Sequence, residues 1–132
     1  PFMGICIGMQ MLSTRGLEYE ETMGFDWIKG EVRKIIPSDP TLRVPHMGWN
    51  TFSLSGANDI FNGTDDEFGF YFVHSFYFDL DEEIDSTART TYGIEFTSAI
   101  RKGNIFATQF HPEKSHSNGL TLLKNFAEQD LC

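Results

Sequence analysis

Two segments carry residues that could do chemistry. Cys6 stands in Gly4-Ile5-Cys6-Ile7-Gly8, a G-x-C-x-G turn entered from the apolar stretch ahead of it. His111 and Glu113 stand in Gln109-Phe110-His111-Pro112-Glu113, far downstream. The first pattern is that of a nucleophile elbow, strand then turn then helix, with cysteine in the place serine takes in many hydrolases. Its glycines fit a tight turn whose backbone passes close to strand and helix. The turn lifts the sulfur to a strand tip beside a helix N-terminus, where partial positive charge favours thiolate. His111 supplies a base for the thiol proton, and Glu113 a carboxylate that holds the imidazole tautomer. Taken singly, such a cysteine is a small buried hydrophobe and such a histidine a satisfied core group. The combination of elbow and distant His-x-Glu is what points to covalent catalysis.

The wider motifs carry a family resemblance. Gly4-Ile5-Cys6-Ile7-Gly8-Met9-Gln10 and Gln109-Phe110-His111-Pro112-Glu113-Lys114-Ser115 resemble the class I, triad-type glutamine amidotransferases. Pro45-His46-Met47-Gly48-Trp49-Asn50 and Tyr71-Phe72-Val73-His74-Ser75-Phe76 are similar to segments of glutaminase subunits that feed imidazole glycerol phosphate synthesis. The resemblance runs over the whole chain. It implies a single domain over 1–132, with the open mixed α/β sheet of that family (flavodoxin-like). It also implies that the first strands and a glycine-rich oxyanion loop are lacking, because family members carry more chain ahead of the elbow. On that expectation the 132 residues alone do not form a working glutaminase.

The resemblance further implies glutamine hydrolysis through a cysteine thioester on Cys6, His111 and Glu113. The Ile7 N–H serves the oxyanion hole. Gln10, one helical turn past the cysteine, Glu18, and the backbone of Ser75 and Phe76 are implied to hold the substrate. Lys114, Tyr71 and Trp49 would face a partner, with His46 and Asn50 on the same face. That partner is a (β/α)₈-barrel synthase that consumes the ammonia. No cofactor and no metal are implied. Alternatives stay open: ammonia supply to a sugar in surface-polysaccharide synthesis, a non-catalytic binding partner, or another cysteine hydrolase, which would lack the His-Pro-Glu-Lys-Ser segment.

Composition bounds the rest. The net charge of −9 argues against nucleic acid or an anionic membrane as partner, since both want a basic footprint. Acidic runs at Glu18–Glu21, Asp65–Glu67 and Asp79–Glu83 read as solvated loop charge. Two cysteines, Cys6 and Cys132, give no disulfide framework, and four scattered histidines no zinc spacing. No apolar run approaches about 18 residues. A nucleophilic thiol must stay reduced, which fits cytoplasm.

The elements needed to position these residues follow from periodicity. Phe2–Ile5 reads as a buried parallel strand. A helix is expected from Gly8 to Arg15, capped by Gly16. Strands are expected at Glu31–Ile36, Asn50–Leu54 and Gly69–Ser75, the last as a central strand, and at Ile105–Phe110. Thr87–Tyr92 and Glu95–Ile100 form a hairpin around Gly93. A final helix opens at Ser117-Asn118-Gly119 and buries Leu120, Leu123 and Ala127. Without its first strands, the sheet would leave the Phe2–Ile5 edge open to pairing with a second copy.

Overall fold

A computed structural model of the chain describes residues 1–55 and 59–129. Along these residues run β1 (Phe2–Ile5), α1 (Ile7–Gln10), β2 (Arg15–Gly16), β3 (Thr22–Met23), β4 (Gly30–Lys34), β5 (His46–Asn50), β6 (Ser53–Leu54), β7 (Phe70–His74), β8 (Phe76–Leu80), β9 (Ser86–Thr91), β10 (Glu95–Lys102), β11 (Ile105–Thr108) and α2 (His116–Ala127). Cys132 lies outside the described residues.

Three sheets form: β1-β11-β10-β9-β6, β3-β2-β4-β8, and the ribbon β5-β7. The first is mixed, with β1 parallel to β11 and β9, β10 and β11 antiparallel in turn. The hairpin turns at Gly93, whose φ of 68° suits glycine. Alternate residues of β10 and β11 point to opposite faces, so each face has its own core. Ala99 and Phe106 join Phe52, Phe70, Phe72, Phe96, Phe110 and Leu122 on one side. Ile100 and Ala107 join Met9, Leu12, Ile28, Phe78 and Leu80 on the other. Ring stacking fixes the first core: Phe70 lies 4.0 Å from Phe110, centroid to centroid, at 18°. The result is an open mixed α/β sheet packed on both faces.

Several expectations need correction. Helix α1 is one turn of 4 residues, and Gly16 lies in a strand rather than at a cap. The carbonyls that would continue the helix are taken by a later loop. Phe25 N–H donates to the Met11 carbonyl (2.8 Å), and Trp27 and Ile28 N–H donate to that of Leu12 (3.1 Å each). Gly24 permits this approach, since a Cβ there would lie 2.1 Å from the Ser13 carbonyl oxygen. The expected strand Asn50–Leu54 is divided between the end of β5 and β6. β7 is not central: it pairs only with β5 among the described residues. Helix α2 buries Asn118, Gly119 and Leu122, while Leu120 is 72% exposed. Polar contacts set that rotation. Asn118 donates to the Asp65 and Gly69 carbonyls (2.8 Å each), and a Cβ at Gly119 would overlap the Pro112 carbonyl.

Candidate active site

Cys6 sits at the C-terminal tip of β1 with φ 53° and ψ −108°, a conformation that costs a non-glycine residue about 1–3 kcal/mol and marks a strained elbow. Its N–H donates to the Thr108 carbonyl at 2.8 Å, extending the β1–β11 ladder by one step. Gly4 is required here, because a Cβ would meet the Gly8 carbonyl oxygen at 2.6 Å. Gly8 is not: a Cβ there meets nothing within 4 Å.

The parallel register Ile5↔Thr108 sets Cys6 beside Gln109, 103 residues away in sequence. Gln109 is fully buried, and its Nε2 lies 3.6 Å from Sγ. Its Oε1 accepts from Gln10 Nε2 at 3.1 Å, and Gln10 Nε2 also donates to the Phe76 carbonyl at 3.2 Å. The sulfur also lies 4.0 Å from the Val73 carbonyl.

Burial pushes the Cys6 thiol up, and the nearby Glu113 carboxylate adds to the rise. The Ile7 N–H, the Gln109 amide and Lys114 act in the opposite direction without overcoming burial. The expected bias toward thiolate is therefore reversed in the resting site. A one-turn helix has little dipole to set against desolvation. The thiol needs a base.

His111 Nδ1–H donates to Glu113 Oε1 at 2.5 Å, leaving Nε2 as the ring's acceptor. The histidine backbone is tied to β7: its N–H donates to the Tyr71 carbonyl (2.9 Å), Tyr71 N–H donates to Ser115 Oγ (2.9 Å), and Ser115 Oγ donates back to the His111 carbonyl (2.6 Å). Among the described residues no hydrogen bond joins Sγ to His111, so proton transfer requires the side chains to close on each other, as is common in unliganded sites.

A cavity of about 710 Å³ opens at the elbow. Its lining includes Cys6, Ile7, Gln10, Glu18, Ser75 and Phe76, every residue expected to meet substrate, and also Tyr19, Lys34 and Val44. His111, Glu113 and Lys114 are not part of that lining. A neighbouring cavity of about 250 Å³, walled by Met11, Met23 and Phe25, shares Ile7, Gln10 and Glu18 with the larger one but lacks the cysteine. Tyr71 faces Trp49 across the β5–β7 ribbon, and Trp49 stacks on His116 at 5.4 Å and 17°. Lys114 is exposed two residues before His116.

His46 does not line that face. It is 2% exposed, and its Nδ1 lies 2.9 Å from His74 Nε2. Asn50 Nδ2 reaches both His46 Nε2 (3.2 Å) and the Thr91 carbonyl (2.9 Å). The cross-strand pairing His46↔His74 brings the two rings together, a contact no local pattern announces. Gln109 is the other residue that sequence reasoning left without a role. Its signal was an amide set among the apolar residues around β11. Among the described residues no cluster of His, Cys, Asp and Glu could hold a metal ion, and no helix is long and apolar enough to cross a membrane.

Comparison with known proteins agrees with this architecture. The family model for class-I glutamine amidotransferases matches residues 1–129. The imidazole glycerol phosphate synthase subunit HisH of Cereibacter sphaeroides is 49% identical over 126 residues, covering 96% of this chain and 59% of that protein. The HisH subunit of Caulobacter vibrioides is 49% identical over 128 residues, covering 97% and 60%. The chain thus spans about 60% of the length of these curated relatives. A solved structure from Thermoplasma acidophilum, assigned as part of a GMP synthase, shares the fold, with a TM-score of 0.64 and 24% identity over 96% of this chain and 55% of that one. From the cysteine elbow to the His-Pro-Glu segment, the chain belongs to the class-I glutamine amidotransferase family.

Proposed function

We propose that this chain carries the glutamine-hydrolysing site of an imidazole glycerol phosphate synthase, supplying ammonia to a partner synthase in histidine formation. The observation that carries this reading is the elbow cavity, which Cys6 lines together with Gln10, Glu18, Ser75 and Phe76. Cys6 attacks the side-chain amide of glutamine after His111 Nε2 takes its proton. The resulting tetrahedral oxyanion is met by the Ile7 N–H. Collapse expels ammonia, protonated by His111, and leaves a glutamyl thioester that water hydrolyses with His111 as base. Glu113 holds the imidazole and steadies its charged form.

The Glu18 carboxylate suits the substrate α-amino group. The α-carboxylate needs donors, so at Ser75 and Phe76 it meets backbone N–H groups; the carbonyls are engaged by Ile35 N–H, and by Gln10 and His74. Lys114, Tyr71 and Trp49 face a (β/α)₈-barrel synthase in the cytoplasm, and no cofactor enters the chemistry. The similarity to HisH subunits favours this acceptor over a polysaccharide sugar.

The test uses the assembled enzyme. Cys6→Ala abolishes glutamine-dependent synthesis, and His111→Asn lowers it by several orders of magnitude, since such residues act as a unit. Synthesis from free ammonia survives both. Full glutamine-dependent turnover by Cys6→Ala overturns the proposal.

A further inference from the structure

One backbone carbonyl sets the polarity of the buried side chains around the thiol. The Phe76 carbonyl can only accept. It accepts from Gln10 Nε2 at 3.2 Å and from His74 Nδ1 at 2.7 Å. Gln10 must therefore present its amide nitrogen, whose second hydrogen points to the Gln109 side chain at 3.1 Å. Gln109 must answer with its oxygen, which turns its own NH₂ toward Cys6 Sγ at 3.6 Å. The reverse orientation of Gln109 would set two NH₂ groups against each other.

The same logic runs the other way. His74 donates from Nδ1, so its Nε2 accepts from His46 Nδ1–H at 2.9 Å, and His46 Nε2 in turn accepts from Asn50 at 3.2 Å. No buried side-chain nitrogen or oxygen of the series lacks a partner, and Gln109, His46 and His74 are all buried. A buried amide cannot rotate freely or trade its partner for water.

We propose that Gln109 is a thiolate-stabilising donor to Cys6, aimed by Gln10 and the Phe76 carbonyl, with His74 and His46 as positioning residues behind that carbonyl. The proposal rests on reading Cys6 as the nucleophile. An N–H aimed at sulfur favours the anion over the thiol. In a site where burial opposes ionisation, Gln109 and the Ile7 N–H act together against that burial. Gln10 then has a task toward the thiol as well as toward substrate.

The experiment reads the thiol rather than glutamine turnover. Cys6 of the intact protein is alkylated with iodoacetamide across a pH series, and the modified peptide is quantified. Gln109→Met keeps the bulk and removes the donor. It should move the midpoint of the rate profile up by about one pH unit, an approximately tenfold slower reaction below the midpoint. Gln109→Glu, which also replaces the donor by an acceptor, should move it further. Gln10→Leu should give a smaller rise, because Gln109 loses its anchor.

A measurement on the unmutated chain guards against misfolding: the Gln109 side-chain amide resonance should titrate with the Cys6 midpoint. An unmoved profile in a folded Gln109→Met protein, or an amide resonance indifferent to thiol ionisation, overturns the inference. A shifted profile, with an assembled enzyme that never hydrolyses glutamine, would keep this inference and discard the proposed function.

Discussion

The backbone N–H of His111 donates to the carbonyl of Tyr71 at 2.9 Å. The candidate base is thereby fastened to the strand that presents Tyr71 and, across the ribbon, Trp49. Ser115 closes the loop by accepting from Tyr71 N–H and donating to the His111 carbonyl.

Ser115→Ala should therefore cost more than a surface serine. It leaves a partly buried N–H without a partner, which typically costs about 1–3 kcal/mol. Urea unfolding measures the loss. Glutamine turnover should fall in kcat rather than KM, because the histidine shifts while the substrate cavity does not. A Ser115→Ala protein of unaltered stability would mean the loop carries no weight.

The elbow glycines should separate cleanly. Gly4→Ala drives a methyl group to 2.6 Å from the Gly8 carbonyl oxygen, and overpacking of this kind costs about 1–3 kcal/mol. Gly8→Ala places its methyl in open space on a helical turn and should be neutral or stabilising by up to about 1 kcal/mol. Thermal unfolding of the two variants decides it. Equal losses would mean the turn is looser than described.

The histidine pair predicts an acid-sensitive fold. Burial pushes both His46 and His74 down to about 4, from an ordinary 6.5. Above about pH 7 both states are neutral and stability is level. As pH falls below 6.5 the unfolded chain takes up protons that the folded chain refuses, so stability declines until pH approaches 4. Each proton taken up on unfolding contributes up to about 1.4 kcal/mol per pH unit. Urea titrations at pH 7 and pH 5 give the slope, and His46→Leu/His74→Leu should flatten it. An identical slope in the double variant would assign the effect to carboxylates instead.

Strand β1 has β11 on one side and no other strand partner among the described residues. An open strand edge is a template for pairing. The 132-residue chain, studied alone at micromolar concentration, should therefore run as a dimer or larger species by light scattering. A stable monomer would remove this expectation.

Much of the site was legible in the chain itself. The Gly-x-Cys-x-Gly turn, the β9–β10 hairpin at Gly93 and the strand ahead of His111 all show local signals, and each is present. What could not be read was decided by distant partners. Helix α1 stops after one turn because the loop 24–28 takes its carbonyls. The buried face of α2 is set by Asn118 and Gly119, polar and small residues that apolar periodicity passes over. His46 has no local sign of burial; only the cross-strand register with His74 hides it. The thiol's resting protonation followed burial, which no turn motif encodes.

The β1–β11 register also has a consequence for when reactivity arises. Gln109 is synthesised 103 residues after Cys6. Until that late strand docks, the sulfur has neither its amide donor nor its base, and it behaves as an ordinary thiol. Closing so long a loop is slow compared with local structure. The cysteine is thus made before Gln109 and His111, and gains these neighbours only when β11 docks beside β1.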